Sequence, residues 1–274
     1  MTAKIALKSV AVYSIKRFLS FRNSFGLYIN KRFFESRANN NRRMAFEAEK
    51  KKYLSMSLNE RRQLYKGTPK TIEQILTWPD YFETHKLTMA KLSPEESVEK
   101  VSKGLADKIS IWGGDICQLE VDVIVNAANT FLCVGGGVDG AIHKAAGPYL
   151  QKECTTLGGC RIGEAKLTGG YRLPAKYVIQ TVGPREEIPE NLQDCYKNSL
   201  DLAQRNGLRS IAFPCIATGI YGYPPKAAAT IALSTVKKFL LENPDIIHRV
   251  IFCLYMKNDI DIYEELLQKY YALE

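Results

Sequence analysis

Val121-Asp122-Val123-Ile124-Val125-Asn126-Ala127-Ala128-Asn129, followed by Gly135-Gly136-Gly137-Val138-Asp139-Gly140-Ala141-Ile142-His143-Lys144-Ala145-Ala146-Gly147-Pro148, decides how this chain is read. The first run is β-branched and apolar without alternation, as a strand buried on both faces requires. It ends in two asparagines. Three glycines and an aspartate then precede a helical pattern over Val138–Ala146. Glycine lets a backbone approach a ligand closely and lets successive N–H groups converge on an anion. The following helix start adds its positive dipole end, so a phosphate is favoured there. No Lys-Ser/Thr pair follows the glycines, so this is not a Walker loop, and the spacing is not G-x-G-x-x-G. The plainer reading, a flexible glycine turn, leaves the combination of strand, two Asn, glycine run and Asp unexplained.

Outward from this stretch the chain alternates. Ile109–Trp112, Val121–Asn126, Tyr177–Thr181, Ile211–Pro214 and Val250–Tyr255 read as strands. Val138–Ala146, Asn191–Arg205, Pro225–Glu242 and Asp259–Tyr271 read as helices. Strands alternating with helices predict an α/β fold with a largely parallel sheet covered on both faces. Ligands of such sheets sit at the carboxyl ends of the strands.

Two further loops lie there. Gly113-Gly114-Asp115-Ile116 follows the first strand. Asp115 can accept from an exocyclic amine and the Ile116 N–H can donate to a ring nitrogen. The competing reading makes Asp115 a turn or helix-capping residue. Cys215-Ile216-Ala217-Thr218-Gly219-Ile220-Tyr221-Gly222-Tyr223-Pro224 follows the fourth strand. Two glycine-bearing loops facing one another can clamp two phosphates, and Tyr221 and Tyr223 offer aromatic surfaces for a ribose or base. The competing reading is a tight connection with core aromatics.

V-D-V-I-V-N-A-A-N, G-G-G-V-D-G-A-I-H-K-A-A-G and A-T-G-I-Y-G-Y-P, in this order, resemble the macrodomain family, in particular its MacroD-type ADP-ribosyl hydrolases. G-D-I at 114–116, Y-V-I-Q-T-V-G-P at 177–184 and R-V-I-F-C at 249–253 extend the resemblance over about 107–274. It implies a three-layer α/β/α fold around a mixed, mostly parallel sheet, here with a helical N-terminal extension. It implies that Asp115 and Ile116 hold the adenine, with Tyr255 nearby. The loops Gly135, Gly136, Gly137, Val138 and Thr218, Gly219, Ile220, Tyr221 would wrap the diphosphate, with Tyr223 beside them. Asn129 and Asp139 would flank the ribose nearest the scissile bond. Two positions depart from the family pattern: Val134 replaces the first Gly of a four-glycine run, and Ala217 replaces a Ser.

The substrates implied are O-acetyl-ADP-ribose and mono-ADP-ribose esterified to Asp or Glu of proteins. Hydrolysis needs an activated water and charge stabilisation but no redox cofactor. Asp139 is the candidate general base or water-positioner. His143, one turn later on the same face, could orient it or tune its pKa, or be a structural histidine. Asn129 cannot trade protons near neutral pH, so it would hydrogen-bond ribose or water. A rival mechanism lets the substrate's own phosphate activate the water, with Asp139 orienting the ribose. A non-catalytic ADP-ribose reader is the alternative function. It would need only the clamp, so Asn129 and Asp139 together favour the enzyme. No Asp/Glu/His/Cys cluster in the sequence suggests a catalytic metal.

The net charge of +9 is unevenly spread. Residues 1–43 hold ten of the 38 Lys and Arg but one of the 29 acids, and the remainder is balanced. A nucleic-acid partner is therefore not expected. No apolar run approaches the roughly 18 residues of a membrane span. A monomer acting on ADP-ribose-containing small molecules and mono-ADP-ribosylated proteins is the expectation. The 1–43 arm is amphipathic, basic and hydroxylated, the pattern of a mitochondrial transit peptide; a disordered basic tail is the competing reading. Residues 44–106 read as a helical extension or linker. Ser57 caps a helix from Leu58 with Glu60 completing a capping box, Thr71–Leu76 forms a short turn ended by Pro79, and Ser93-Pro94-Glu95-Glu96 starts a helix. The seven cysteines are odd in number and form no C-x-x-C pair, so small buried hydrophobes in a reducing compartment are expected.

Overall fold

A computed structural model describes residues 45–90, 92 and 99–273. The proposed transit segment and the helix start at Ser93 fall outside the described residues.

Six strands form the central sheet: β1 (Ile109–Gly113), β2 (Val123–Ala127), β3 (Ala165–Gly169), β4 (Tyr177–Thr181), β5 (Ser210–Pro214) and β6 (Arg249–Leu254). Their spatial order is β1-β6-β5-β2-β4-β3. All neighbours run parallel except β3, which pairs antiparallel with β4 at one edge. The sheet is thus mixed and mostly parallel.

Successive residues of a strand point to opposite faces. In β2, Val123 and Val125 enter one hydrophobic cluster and Ile124 enters the other. All three are fully buried, which explains why their sequence shows no alternation. One face is covered by α7 (Pro189–Arg205), α8 (Pro225–Glu242) and α9 (Lys257–Tyr270), and the other by α5 (Gly137–Ala146) and α6 (Pro148–Thr156). The buried set of α7 is Leu192, Cys195, Tyr196, Ser199, Leu200 and Ala203, spaced as one stripe of a helix.

Residues ahead of the sheet pack into the same body. Helical residues 45–55 (α1) and α2 (Leu58–Arg62) are separated at Ser57. Ser57 Oγ accepts from Glu60 N–H and Glu60 Oε2 accepts from Ser57 N–H, the capping box expected from the sequence. Lys50 of α1 reaches buried Glu153 of α6 at 2.6 Å, and Glu153 also accepts from Gly169 N–H and Tyr171 Oη. Arg61 donates to the carbonyls of Leu173 and Pro174. In α3 (Trp78–His85), Trp78 is 2% exposed, sits in the larger cluster and donates from Nε1 to Tyr271 O at 3.2 Å. A four-residue helix, α4 (Lys103–Ala106), leads into β1.

One local expectation is corrected, and two features went unread. Pro79 does not end an element; it occupies the first turn of α3, behind the Thr77 cap, where its missing N–H costs nothing. Pro148 opens α6 in the same way. Ala165–Gly169 is a strand that its A-K-L-T-G sequence hid, because an edge strand needs no continuous apolar face.

Candidate functional site

A cleft of about 660 Å³ opens at the carboxyl ends of the parallel strands. Its walls come from the loop after β1, the start of α5, the loop after β5 and the segment joining β6 to α9. Of the residues singled out in the sequence, Asp115, Ile116, Gly137, Val138, Thr218, Gly219 and Tyr255 line it.

At one end, the Asp115 carboxylate accepts from Cys117 N–H at 2.9 Å, capping the turn Ile116–Gln118. The capping role and the cleft-lining role therefore coexist in one residue. Ile116 is buried beneath it, and Tyr255 stands 82% exposed across the opening. Cys253 Sγ contacts Gly114 O at 3.2 Å, tying the end of β6 to this loop. Cys215 and Cys253 line the cleft as well. Burial pushes the Cys253 thiol up to about 12 and the Cys215 thiol well above its usual range, so neither presents a thiolate nucleophile near neutral pH.

The centre is built from the two glycine loops. They follow β2 and β5, which are neighbours in the sheet, so the loops project side by side. Gly137 begins α5 with φ +58°, a left-handed conformation that glycine adopts without strain. Gly140 is held against the preceding loop: a methyl group there would meet Gly135 O at 2.7 Å. On the opposite loop Ala217 has φ +67°, Thr218 Oγ1 donates to Cys215 O, and Tyr223 N–H donates to Ala217 O. A methyl group on Gly136 would touch Ile220 Cδ1 at 3.4 Å, so the two loops meet at these residues.

Asp139 lies on α5, 4% exposed, inside a polar network. Its Oδ1 accepts from Asn126 Nδ2 at 2.5 Å and stands 3.5 Å from His143 Nε2. Its Oδ2 accepts from the Gly135 N–H. Burial lowers the His143 pKa, with the Asp139 carboxylate working against that shift. Burial thus favours the neutral imidazole beside Oδ1. Asn129 is folded into its own loop, but its amide closes on the same point as Asp139. A methyl group at Gly135 would lie 3.1 Å from Asp139 Oδ2 and 3.5 Å from Asn129 Nδ2. The structure thus brings Asn129, Gly135, Asp139 and His143 together beside the clamp.

One expected surface is corrected. Tyr223 is 3% exposed and belongs to the core beneath α8, so it offers no face to a ligand. Tyr221 packs partly on that core, with the Arg185 guanidinium 4.4 Å from its ring centre, and is not part of the cleft wall. Sequence reasoning missed Asn126 and Gln180, whose side chains join at 2.8 Å and steady Asp139 from below. A signal existed: both are amides inside otherwise apolar central strands. It also missed Asn258 and Asp259, which line the cleft from the start of α9. Among the described residues no group of His, Cys, Asp and Glu is placed to hold a metal ion.

The Macro domain family model matches residues 125–232, which include both glycine loops. The ADP-ribose glycohydrolase MACROD2 of Xenopus laevis is 49% identical over 238 residues, 85% of this chain and 56% of its own length. The chain therefore spans little more than half of that relative. The ADP-ribose glycohydrolase MACROD1 of Rattus norvegicus is 47% identical over 71% of this chain and 77% of its own length. Among solved structures, the Trypanosoma brucei macrodomain in complex with ADP-ribose superposes with a TM-score of 0.66 at 39% identity, covering 80% of this chain and 86% of that one. With a cleft at the strand ends, two facing glycine loops and these relatives, the chain belongs to the macrodomain family.

Proposed function

We propose that the protein is a hydrolase that releases ADP-ribose from ester linkages, on Asp or Glu side chains of mono-ADP-ribosylated proteins and on O-acetyl-ADP-ribose. The observation that carries this reading is the convergence of Asp139 Oδ2 and Asn129 Nδ2 on the space over Gly135, at 3.1 and 3.5 Å. A reader needs the clamp alone. A buried carboxylate aimed beside an amide at the edge of that clamp is the equipment for handling a water and a ribose hydroxyl. The names and bound ligand of the relatives agree with it.

In this reading the Asp115 end takes the adenine, and Gly137–Val138 with Thr218–Gly219 take the diphosphate through backbone N–H groups and the start of α5. Asp139 uses Oδ1 for anchorage to Asn126 and keeps Oδ2 for chemistry once the ligand displaces the Gly135 N–H. Oδ2 then either takes the proton of the attacking water or orients the ribose while a substrate phosphate does so. The water oxygen bonds the ester carbonyl carbon, the bond from that carbon to the ribose oxygen breaks, and the proton taken from the water passes to the ribose oxygen, leaving ADP-ribose and the free carboxylic acid. Asn129 positions, and His143 keeps Asp139 in place.

The test uses the whole chain and its Asp139→Ala variant, incubated with a glutamate-linked mono-ADP-ribosylated protein and with O-acetyl-ADP-ribose. Released ADP-ribose and binding of free ADP-ribose are measured separately. The wild type releases ADP-ribose and Asp139→Ala loses at least about two orders of magnitude; binding without release by the wild type makes the protein a reader. We also propose, from sequence pattern alone, that residues 1–43 direct the chain to mitochondria. A reporter fused to them that stays diffuse in the cytosol refutes this.

A further inference from the structure

The loop after Asn129 is held from two sides. Asn129 Oδ1 accepts from the N–H groups of Phe131 and Cys133, each at 3.2 Å, and Asn129 Nδ2 donates to Cys133 O at 2.5 Å. Gln151 of α6 grips the far side, accepting from Val134 N–H at 2.9 Å and donating to Leu132 O at 3.1 Å. Leu132, at φ +54° and 1% exposed, plugs the loop into the core. A segment tied this way cannot turn its side chains inward without breaking those bonds.

Yet it presents two apolar side chains to water. Phe131 is 78% exposed and Val134 is 55% exposed. Ile220, 80% exposed, lies on the other loop beside Gly136. Neither Phe131 nor Val134 lines the nucleotide cleft. Both stand beyond it, on the side of Asn129 and Gly135. A ligand filling the cleft from Asp115 to Gly137 therefore leaves these side chains untouched, and whatever covers them is attached past the distal ribose.

We propose that Phe131 and Val134 form the contact surface for the polypeptide that carries the ADP-ribose, so that the enzyme distinguishes protein-linked from small esters. This rests on the hydrolase reading above. An acetyl group brings one methyl to the site. An extended peptide around a modified Glu brings backbone and neighbouring side chains, enough to cover a ring and a branched side chain held three residues apart on a rigid loop. Exposed apolar groups beside a polar site mark such contacts, and an aromatic side chain is their commonest anchor.

The experiment uses the whole chain, Phe131→Ser and Val134→Ser, each checked for an unchanged melting temperature. Turnover is measured on O-acetyl-ADP-ribose and on a glutamate-linked mono-ADP-ribosylated peptide. Affinity is measured for free ADP-ribose and for the same peptide bearing ADP-ribose through a hydrolysis-resistant linkage. We expect Phe131→Ser to raise KM and weaken affinity for the peptide about tenfold, with turnover of O-acetyl-ADP-ribose and affinity for free ADP-ribose held within about twofold. Equal changes on peptide and small ligand, or no change on either, overturn the proposal. Should the wild type release nothing, the hydrolase reading falls and the two affinities still decide this one. A light-scattering result in which Phe131→Ser dissociates a dimer without weakening peptide affinity assigns the surface to a second copy and also overturns it.

Discussion

His143 Nε2 stands 3.5 Å from Asp139 Oδ1, one turn apart on α5 and both buried. Burial lowers the His143 pKa from its ordinary 6.5. A base with a depressed folded pKa contributes stability that is present above its unfolded value and lost as pH falls through the folded one. Urea unfolding between pH 8 and pH 5 therefore shows wild type weakening on the acid side, and His143→Gln weakening less over the same interval. Parallel profiles for the two proteins would refute a neutral, buried His143.

Gly140 bears on ligand affinity through sterics alone. Its Cα faces Gly135 O so closely that an added methyl meets that carbonyl at 2.7 Å. Alanine there favours the helix by up to about 1 kcal/mol but displaces the backbone on which Asp139 Oδ2 and Asn129 converge. We expect Gly140→Ala to retain its circular dichroism spectrum while losing at least about tenfold in ADP-ribose affinity by calorimetry.

Trp78 joins the segment ahead of the sheet to the core. Replacing a buried Trp by Ala costs about 3–5 kcal/mol, and here the carbonyl of Tyr271 also loses its donor. Trp78→Ala lowers the urea midpoint accordingly. Removing residues 1–106, which also deletes Ile75, Arg61 and Lys50, yields a protein that aggregates or melts well below the full chain; an unchanged melting temperature would contradict this.

Cys133 is the exposed cysteine, whereas Cys154, Cys160, Cys195 and Cys253 are buried and Cys117 and Cys215 partly so. Burial raises the Cys154 and Cys160 thiols to about 12. Brief alkylation of the native protein at pH 8 gives a single adduct by intact mass, and Cys133→Ser removes it.

The central strands and the chemistry-bearing loops were legible because their causes are local. A strand buried on both faces must be apolar throughout, and a backbone meeting phosphates must be glycine-rich. What stayed hidden depends on partners distant in sequence. Ala165–Gly169 is a strand because β4 offers it an edge. Pro79 and Pro148 sit in the first turn of helices, the former behind the Thr77 cap, while a proline read alone suggests a stop. Tyr223 looked accessible by its place in a glycine loop, but Ala217 O draws its backbone inward and the ring enters the core. Asn126 and Gln180 declare their role only when the sheet sets them side by side beneath Asp139.

The last strand of the central sheet, β6, is threaded between β1 and β5. On the ribosome, β2 and β5 both precede β6, so the two glycine loops can align before it arrives. β1 has no neighbour in the sheet until β6 arrives, so the Asp115 end of the cleft must wait. The cleft is thus finished from its glycine loops outward, by long-range pairing of the slow kind. A chain lacking Arg249–Leu254 carries Asp139 without a completed Asp115 end of the cleft.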